Sequence, residues 1–191
     1  MDREVLDPGR LSLDAVCICY QFENGEAHPG QPVPVVREFD GPLESLDMRW
    51  GLIPYAARGD PGASPAIHVP LTDLSDSHLS RGPWVNGQRC MQLATSFQLW
   101  KADPQGRRSC WRVRPANRAV FGLAALWDRS QPREGSMIES CALVMLPGGM
   151  PVVLSAADQS VWLTGTAAQA AALLRPSAAA ALQLTPVSIL E

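Results

Sequence analysis

Between residues 89 and 146 the chain carries four apolar runs, 89–101, 109–114, 119–127 and 139–146, each closed off by turn-forming residues. Such short runs, rich in valine, leucine and aromatics and bounded by Asp103-Pro104-Gln105-Gly106 and Pro147-Gly148-Gly149, suit strands better than helices. This β-rich middle constrains the fold more than any other feature. Upstream, residues 16–22 (VCICYQF) and 48–54 (MRWGLIP) also read as strands. Residues 23–34 read as a loop or hairpin, and residues 55–88 as long irregular connections with some order near His68 to Leu74. Helical signals come late. Ser155 with Asp158 three positions on reads as a helix start, and a second helix is expected over 166–174, stopped by Pro176. A short extended segment follows from Thr185 to Leu190. The expectation is an α+β class: a compact single domain over 16–191, preceded by a tail over 1–15.

With 191 residues and 46% hydrophobic residues, one domain with a sizeable core is affordable. The formal net charge of -3 lacks the basic excess of a dedicated nucleic-acid binder, so contact with nucleic acid must come from a local patch. The densest basic stretch is Arg107, Arg108, Arg112, Arg114 and Arg118. On a strand Arg112 and Arg114 share one face, which is either a solvated face or a phosphate contact. No secretory signal and no run of about 20 apolar residues is visible, so a cytoplasmic location is expected. Five cysteines, Cys17, Cys19, Cys90, Cys110 and Cys141, are then read as free thiols. Cys17 and Cys19 lack a second pair at ligand spacing, and His28, His68 and His78 are scattered, so no metal and no cofactor is expected.

Seven segments, in order, resemble the SOS-response-associated peptidase (SRAP) family. They are Arg49-Trp50-Gly51-Leu52-Ile53-Pro54, Arg89-Cys90, Phe97 with Trp100-Lys101, Phe121 to Trp127, Met150 to Leu154, Trp162-Leu163, and Leu174-Arg175-Pro176 followed by Pro186-Val187-Ser188. The resemblance implies a compact α+β domain on a curved, barrel-like mixed sheet flanked by a few helices. It implies single-stranded DNA as partner, with an abasic site as the captured lesion. Family members use a cysteine exposed behind the initiator methionine, an asparagine, a glutamate and a histidine.

The residue types have a chemical reason. The ring-opened abasic sugar is an aldehyde. A terminal cysteine carries an α-amine, with a pKa of about 7.7–8.0, and a thiol on adjacent carbons. The amine condenses with the aldehyde to an imine, losing water, and the thiol adds across the C=N bond to close a thiazolidine. An acid and a histidine assist the proton transfers.

This sequence departs from that pattern. The glutamate position falls on Leu99, the histidine position on Pro147 and the following arginine on Gly149; none of these transfers a proton. The asparagine position falls on or near His68, which reads either as a loop histidine or as a site residue. Two alignments of the terminal cysteine stay open. One uses Cys19, with Phe22 as the following aromatic. The other uses Cys17, with Val16 at the methionine and Tyr20 as the aromatic. A GTG start codon at position 16 would make Cys17 the first residue. Candidate site residues are therefore Cys17 or Cys19 and His68. Candidate DNA contacts are Arg49, Trp50, Arg89, Arg112 and Arg114, with Trp50 open between base stacking and the core. Two functions compete: covalent capture of abasic single-stranded DNA, and non-covalent binding of single-stranded DNA or a partner by a catalytically degenerate relative. A third, self-cleavage ahead of the cysteine, lacks the acid–base groups it would need.

Overall fold

The computed structural model describes residues 20–22, 25–41, 43–55, 66–102, 108–116, 120–131, 136–177 and 182–187. The tail over 1–15, Cys17, Cys19, the Asp103 to Gly106 turn, Arg107, Arg118 and Ser188 lie outside the described residues.

Twelve strands are described: β1 (Tyr20–Phe22), β2 (Gly25–Ala27), β3 (Pro32–Glu38), β4 (Leu43–Trp50), β5 (His68–Pro70), β6 (Arg89–Ala94), β7 (Ser96–Ala102), β8 (Arg108–Pro115), β9 (Phe121–Ser130), β10 (Ile138–Met145), β11 (Val153–Leu154) and β12 (Leu182–Val187). Three short α-helices accompany them, α1 (Arg81–Val85), α2 (Asp158–Thr164) and α3 (Ala167–Ala172), with a 3-10 turn at Leu71–Asp73. One sheet runs β12-β8-β7-β1-β2, the other β11-β9-β6-β3-β4-β10-β5. An added β9–β10 pairing closes β9-β6-β3-β4-β10 into a five-stranded barrel. All its ladders are antiparallel except β4 with β10. The expected α+β class with a mixed barrel-like sheet is the fold observed.

Strand periodicity sorts the side chains. On β3, Val33, Val35 and Arg37 alternate inward with Pro34, Val36 and Glu38. Burying Arg37 requires partners, and it has them. Its Nε bonds Glu44 at 2.6 Å and its Nη2 bonds Glu139 at 3.0 Å. Its guanidinium stacks 4.1 Å over the Trp127 ring and 4.8 Å over Phe39. Arg129 joins at 2.7 Å from the same Glu139 oxygen. Burial alone would raise the Glu139 carboxyl, but hydrogen bonds and charge from Arg129 and Arg37 outweigh it and hold it below its ordinary value.

β9 is buried along nearly its whole length, between β6 and β10 and against β11 and α1. Gly122 fits this close packing: a Cβ there would meet the Met91 Sδ at 2.2 Å. Trp162 of α2 is fully buried and donates from its indole to the Cys90 carbonyl at 2.8 Å. Arg89 reaches the same helix from β6. Its Nε donates to the Trp162 carbonyl at 2.6 Å and its Nη2 to the Gly165 carbonyl. A cation on otherwise orphaned carbonyls complements the negative end of the helix.

Several boundaries differ from the sequence reading. The run over 89–101 is two strands, because the chain leaves the barrel at Ala94 and joins the second sheet at Ser96. The strand expected over 48–54 ends at Trp50, where Gly51 takes φ 128° and turns the chain out. The α2 helix starts at Asp158, three residues after Ser155, though the Ser155 hydroxyl does accept the Asp158 amide at 3.2 Å. The second helix is shorter than 166–174, and Thr166 opens it with a capping box to Gln169. Among the described residues no helix is long and apolar enough to cross a membrane.

If Arg89 fastens α2 to the barrel, Arg89→Ala lowers stability by about 3 kcal/mol, since each hydrogen bond to a charged donor is worth roughly 1.5–3 kcal/mol. Urea unfolding checks this. A change of less than about 0.5 kcal/mol, the scale of an ordinary surface substitution, would leave the cap without a role.

Candidate functional site

The site residues are placed by the two edges of β10. On one edge β9 runs antiparallel, from Ile138↔Ser130 to Leu143↔Ala125. On the other edge β4 pairs in parallel at Ser140 and Cys141, and β5 continues in parallel at Leu143 to Met145. The chain that leaves β4 at Trp50 therefore returns with His68 one step further along the same edge. Beyond β10, Leu146-Pro147-Gly148-Gly149 form a tight turn, closed by the Gly149 amide on the Leu146 carbonyl at 3.0 Å. Gly148 and Gly149 both have positive φ, 88° and 81°, which suits glycine.

β5 and this turn flank an open cavity of about 340 Å³ lined by His68, Pro70, Leu71, Thr72, Met145 and the 146–149 turn. The position resembling the family's asparagine and the position resembling its histidine thus share one cavity. His68 is not the loop residue of one reading: it begins β5 and is largely buried. Its ring meets Trp50 edge-on at 6.3 Å, and its Nε2 is buried without a hydrogen-bond partner. Burial lowers its pKa from 6.5 to about 4. At neutral pH the ring is uncharged, with one nitrogen as donor and one as acceptor. No described carboxylate, lysine or arginine lines this cavity. Two larger clefts, of about 510 and 460 Å³, lie elsewhere, by Phe121 and Arg175 and by Tyr55 and Met137.

The other candidates are dispersed. Trp50 is fully buried, and its indole donates to the Ile67 carbonyl at 3.1 Å, so of its two open readings the core is the one observed, not base stacking. Instead it braces the segment that carries His68. Arg89 is likewise buried and occupied by the α2 carbonyls, which removes it as a phosphate contact. Arg49 is exposed on the opposite face of β4 from Trp50, its guanidinium beside Gly30. Arg112 and Arg114 lie on β8 in the other sheet. Leu99 is 2% exposed within the core, so the glutamate position carries no proton-transfer group. Cys90, Cys110 and Cys141 are buried free thiols. Among the described residues no three His, Cys, Asp or Glu side chains converge as metal ligands.

Sequence reasoning missed Leu71, Met145 and Leu146 as cavity walls. It also missed the segment's tether, in which the Ile53 amide binds the Ser140 hydroxyl at 2.9 Å and the Tyr55 amide binds the Asp128 carboxylate at 2.8 Å. Asp128 and Ser140 sit at facing positions of β9 and β10 amid apolar residues, a polar pair that signals a buried hydrogen-bonding duty.

A small mixed barrel with an uncharged cavity at the end of one strand defines the class of domain. The model of the SOS response associated peptidase (SRAP) family matches residues 21–190, and the chain belongs to that family. Among relatives, the abasic site processing protein YobE of Bacillus subtilis is 25% identical over 154 residues, covering 73% of this chain and 70% of that one. The abasic site processing protein YoqW of Bacillus phage SPbeta is 27% identical over 154 residues, covering 73% and 68%. A crystal structure of a Bacteroides thetaiotaomicron protein shares the fold with TM-score 0.78 at 17% identity, covering 88% of this chain and 79% of that one. One from Bordetella bronchiseptica gives TM-score 0.72 at 21% identity, covering 86% and 88%.

The environment of His68 makes a direct prediction. Followed by NMR, its ring titrates near pH 4, because the folded state resists protonation. A midpoint near 6.5 would mean that the ring is solvated.

Proposed function

We propose that this protein binds abasic sites in single-stranded DNA at the His68 cavity, and captures them covalently where Cys17 is the first residue of the chain. The carrying observation is the convergence of His68 and the Pro147 to Gly149 turn on one cavity, in a chain whose relatives are named abasic site processing proteins. An uncharged wall suits the deoxyribose better than a phosphate, since an unpaired anion buried there would be costly. The α-amine of Cys17 condenses with the aldehyde, water leaves, and the thiol adds to the imine carbon while the nitrogen takes the thiol proton. Neutral His68 can accept a hydrogen bond from a sugar hydroxyl or donate one to the aldehyde oxygen. With Leu99 and Pro147 at the acid–base positions, proton transfer falls to water and to the reacting groups themselves. Capture is therefore slower than in a relative that retains the acid and the histidine.

The test uses protein prepared with Cys17 as its first residue and a labelled oligonucleotide holding one abasic site. A band surviving on a denaturing gel is expected, absent with Cys17→Ser and absent with undamaged DNA. No such band, with a glutamate- and histidine-containing relative reacting alongside, rejects covalent capture.

The second reading, non-covalent binding, is favoured by the burial of Leu99 in the core. It gains support if anisotropy finds salt-sensitive binding to single strands while the gel stays empty.

A further inference from the structure

We infer that the outer face of β7, β8 and β12 is a second contact surface, which takes the phosphate backbone of single-stranded DNA beyond the lesion. The inference rests on the reading of single-stranded DNA as the ligand, and concerns a different sheet from the one that carries His68.

The register fixes which residues share this face. Gln98 and Thr185 flank Arg112 from either side, and Gln183 lies opposite Arg114. Trp100, two positions from Gln98, is half-buried on the same face. The other face belongs to the core, where Phe97, Leu99 and Val113 are buried. So one side of this sheet is apolar and packed, and the other carries two arginines, two glutamines, a threonine and a tryptophan around the buried Cys110, whose thiol donates to the Gln98 side-chain oxygen at 3.4 Å.

The charge of this face suits an anionic ligand. The three strands contain no Asp or Glu, in a chain whose net charge is -3. Among the described residues, no ion pair involves Arg112 or Arg114. Arg112 is half-buried and Arg114 exposed, so both stand at the surface of this sheet. The residues paired with the two arginines, Gln98, Thr185 and Gln183, offer amides and a hydroxyl and no carboxylate, which leaves the guanidinium groups suited to a ligand carrying negative charge. Positions two apart on a strand are about 6.7 Å apart, which lets Arg112 and Arg114 meet successive phosphates of one strand. The amides of Gln98 and Gln183 can add neutral hydrogen bonds to phosphate or sugar, and Trp100 offers an aromatic edge of the kind that single-strand binders use beside a basic track. Nothing on this face reads base identity, so it adds affinity without sequence preference.

The test is the salt dependence of binding of the full chain to an undamaged single-stranded oligonucleotide, by fluorescence anisotropy. Each phosphate neutralised on a single strand contributes about 0.7 to the slope of log K against log salt, so Arg112→Ala/Arg114→Ala should lower that slope by about 1.4. Arg112→Lys/Arg114→Lys keeps the charges and should keep the slope. If the double alanine variant fails to fold, Arg114→Ala alone, at an exposed position, should lower the slope by about 0.7. A wild-type slope in the folded alanine variants overturns the inference, as does an absence of binding by the unmodified chain. The preference for abasic over undamaged strands is set at the His68 cavity and should survive the double substitution. Wild-type protein that binds strands through this face but shows no abasic preference would remove the earlier reading and leave this one standing.

Discussion

The candidate site depends on the two edges of β10. One edge binds β9 and closes the barrel; the other takes β4 and then β5 in succession. Parallel neighbours placed end to end along one strand are what carry His68 to the turn at Pro147. His68 would not reach that turn if its segment slipped along β10. The 51–67 connection is therefore pinned at each end of its described parts. The Gly51 amide binds the Cys141 carbonyl at 2.9 Å, the Ser140 hydroxyl takes the Ile53 amide, and Leu52 bridges to Ala66. Trp50 completes the brace from the core side by holding the Ile67 carbonyl.

Two buried arginines serve the same framework from different directions. Arg37 ties β3 to β4 and β10 through two carboxylates, and Arg89 ties β6 to the end of α2. Each is a charge withdrawn from water whose bonds to carboxylates or carbonyls offset the cost of burial, although one Arg37 nitrogen, Nη1, has no acceptor. A family motif can thus hold an arginine for a structural duty. Arg89 lies in such a motif because the helix needs its cap, and sequence position alone could not separate that duty from phosphate binding.

The strand-rich middle was legible because strands β8 to β10 announce themselves through short apolar runs closed by turn formers. β3 was not, because Pro32 and Pro34 imitate a loop; the ladder with β6 begins only at Val35, beyond both prolines. Had its alternation been followed, Arg37 would have fallen on the same face as Val33 and Val35, flagging an inward charge. The site was half legible. Similarity in order and spacing placed His68 and Pro147 at corresponding positions, but only the register of β5 on β10 brings them together. The burial of Trp50 was not legible, since an aromatic at the end of a strand can face either way until the partner strands are known. The loss of an acid at Leu99 was plain from the sequence, and its burial in the core accounts for the leucine there.

The central claim is that a reduced version of the family's site survives at the β5 and 146–149 cavity. Hydrogen exchange, with and without a single strand bearing a stable tetrahydrofuran abasic analogue, tests it most directly, because that analogue cannot form the covalent link and reports placement alone. The account predicts slowed exchange over residues 68–72 and 145–149 with the abasic strand, beyond any change an undamaged strand produces. Equal exchange at those segments, with protection confined to other parts of the chain, would contradict it.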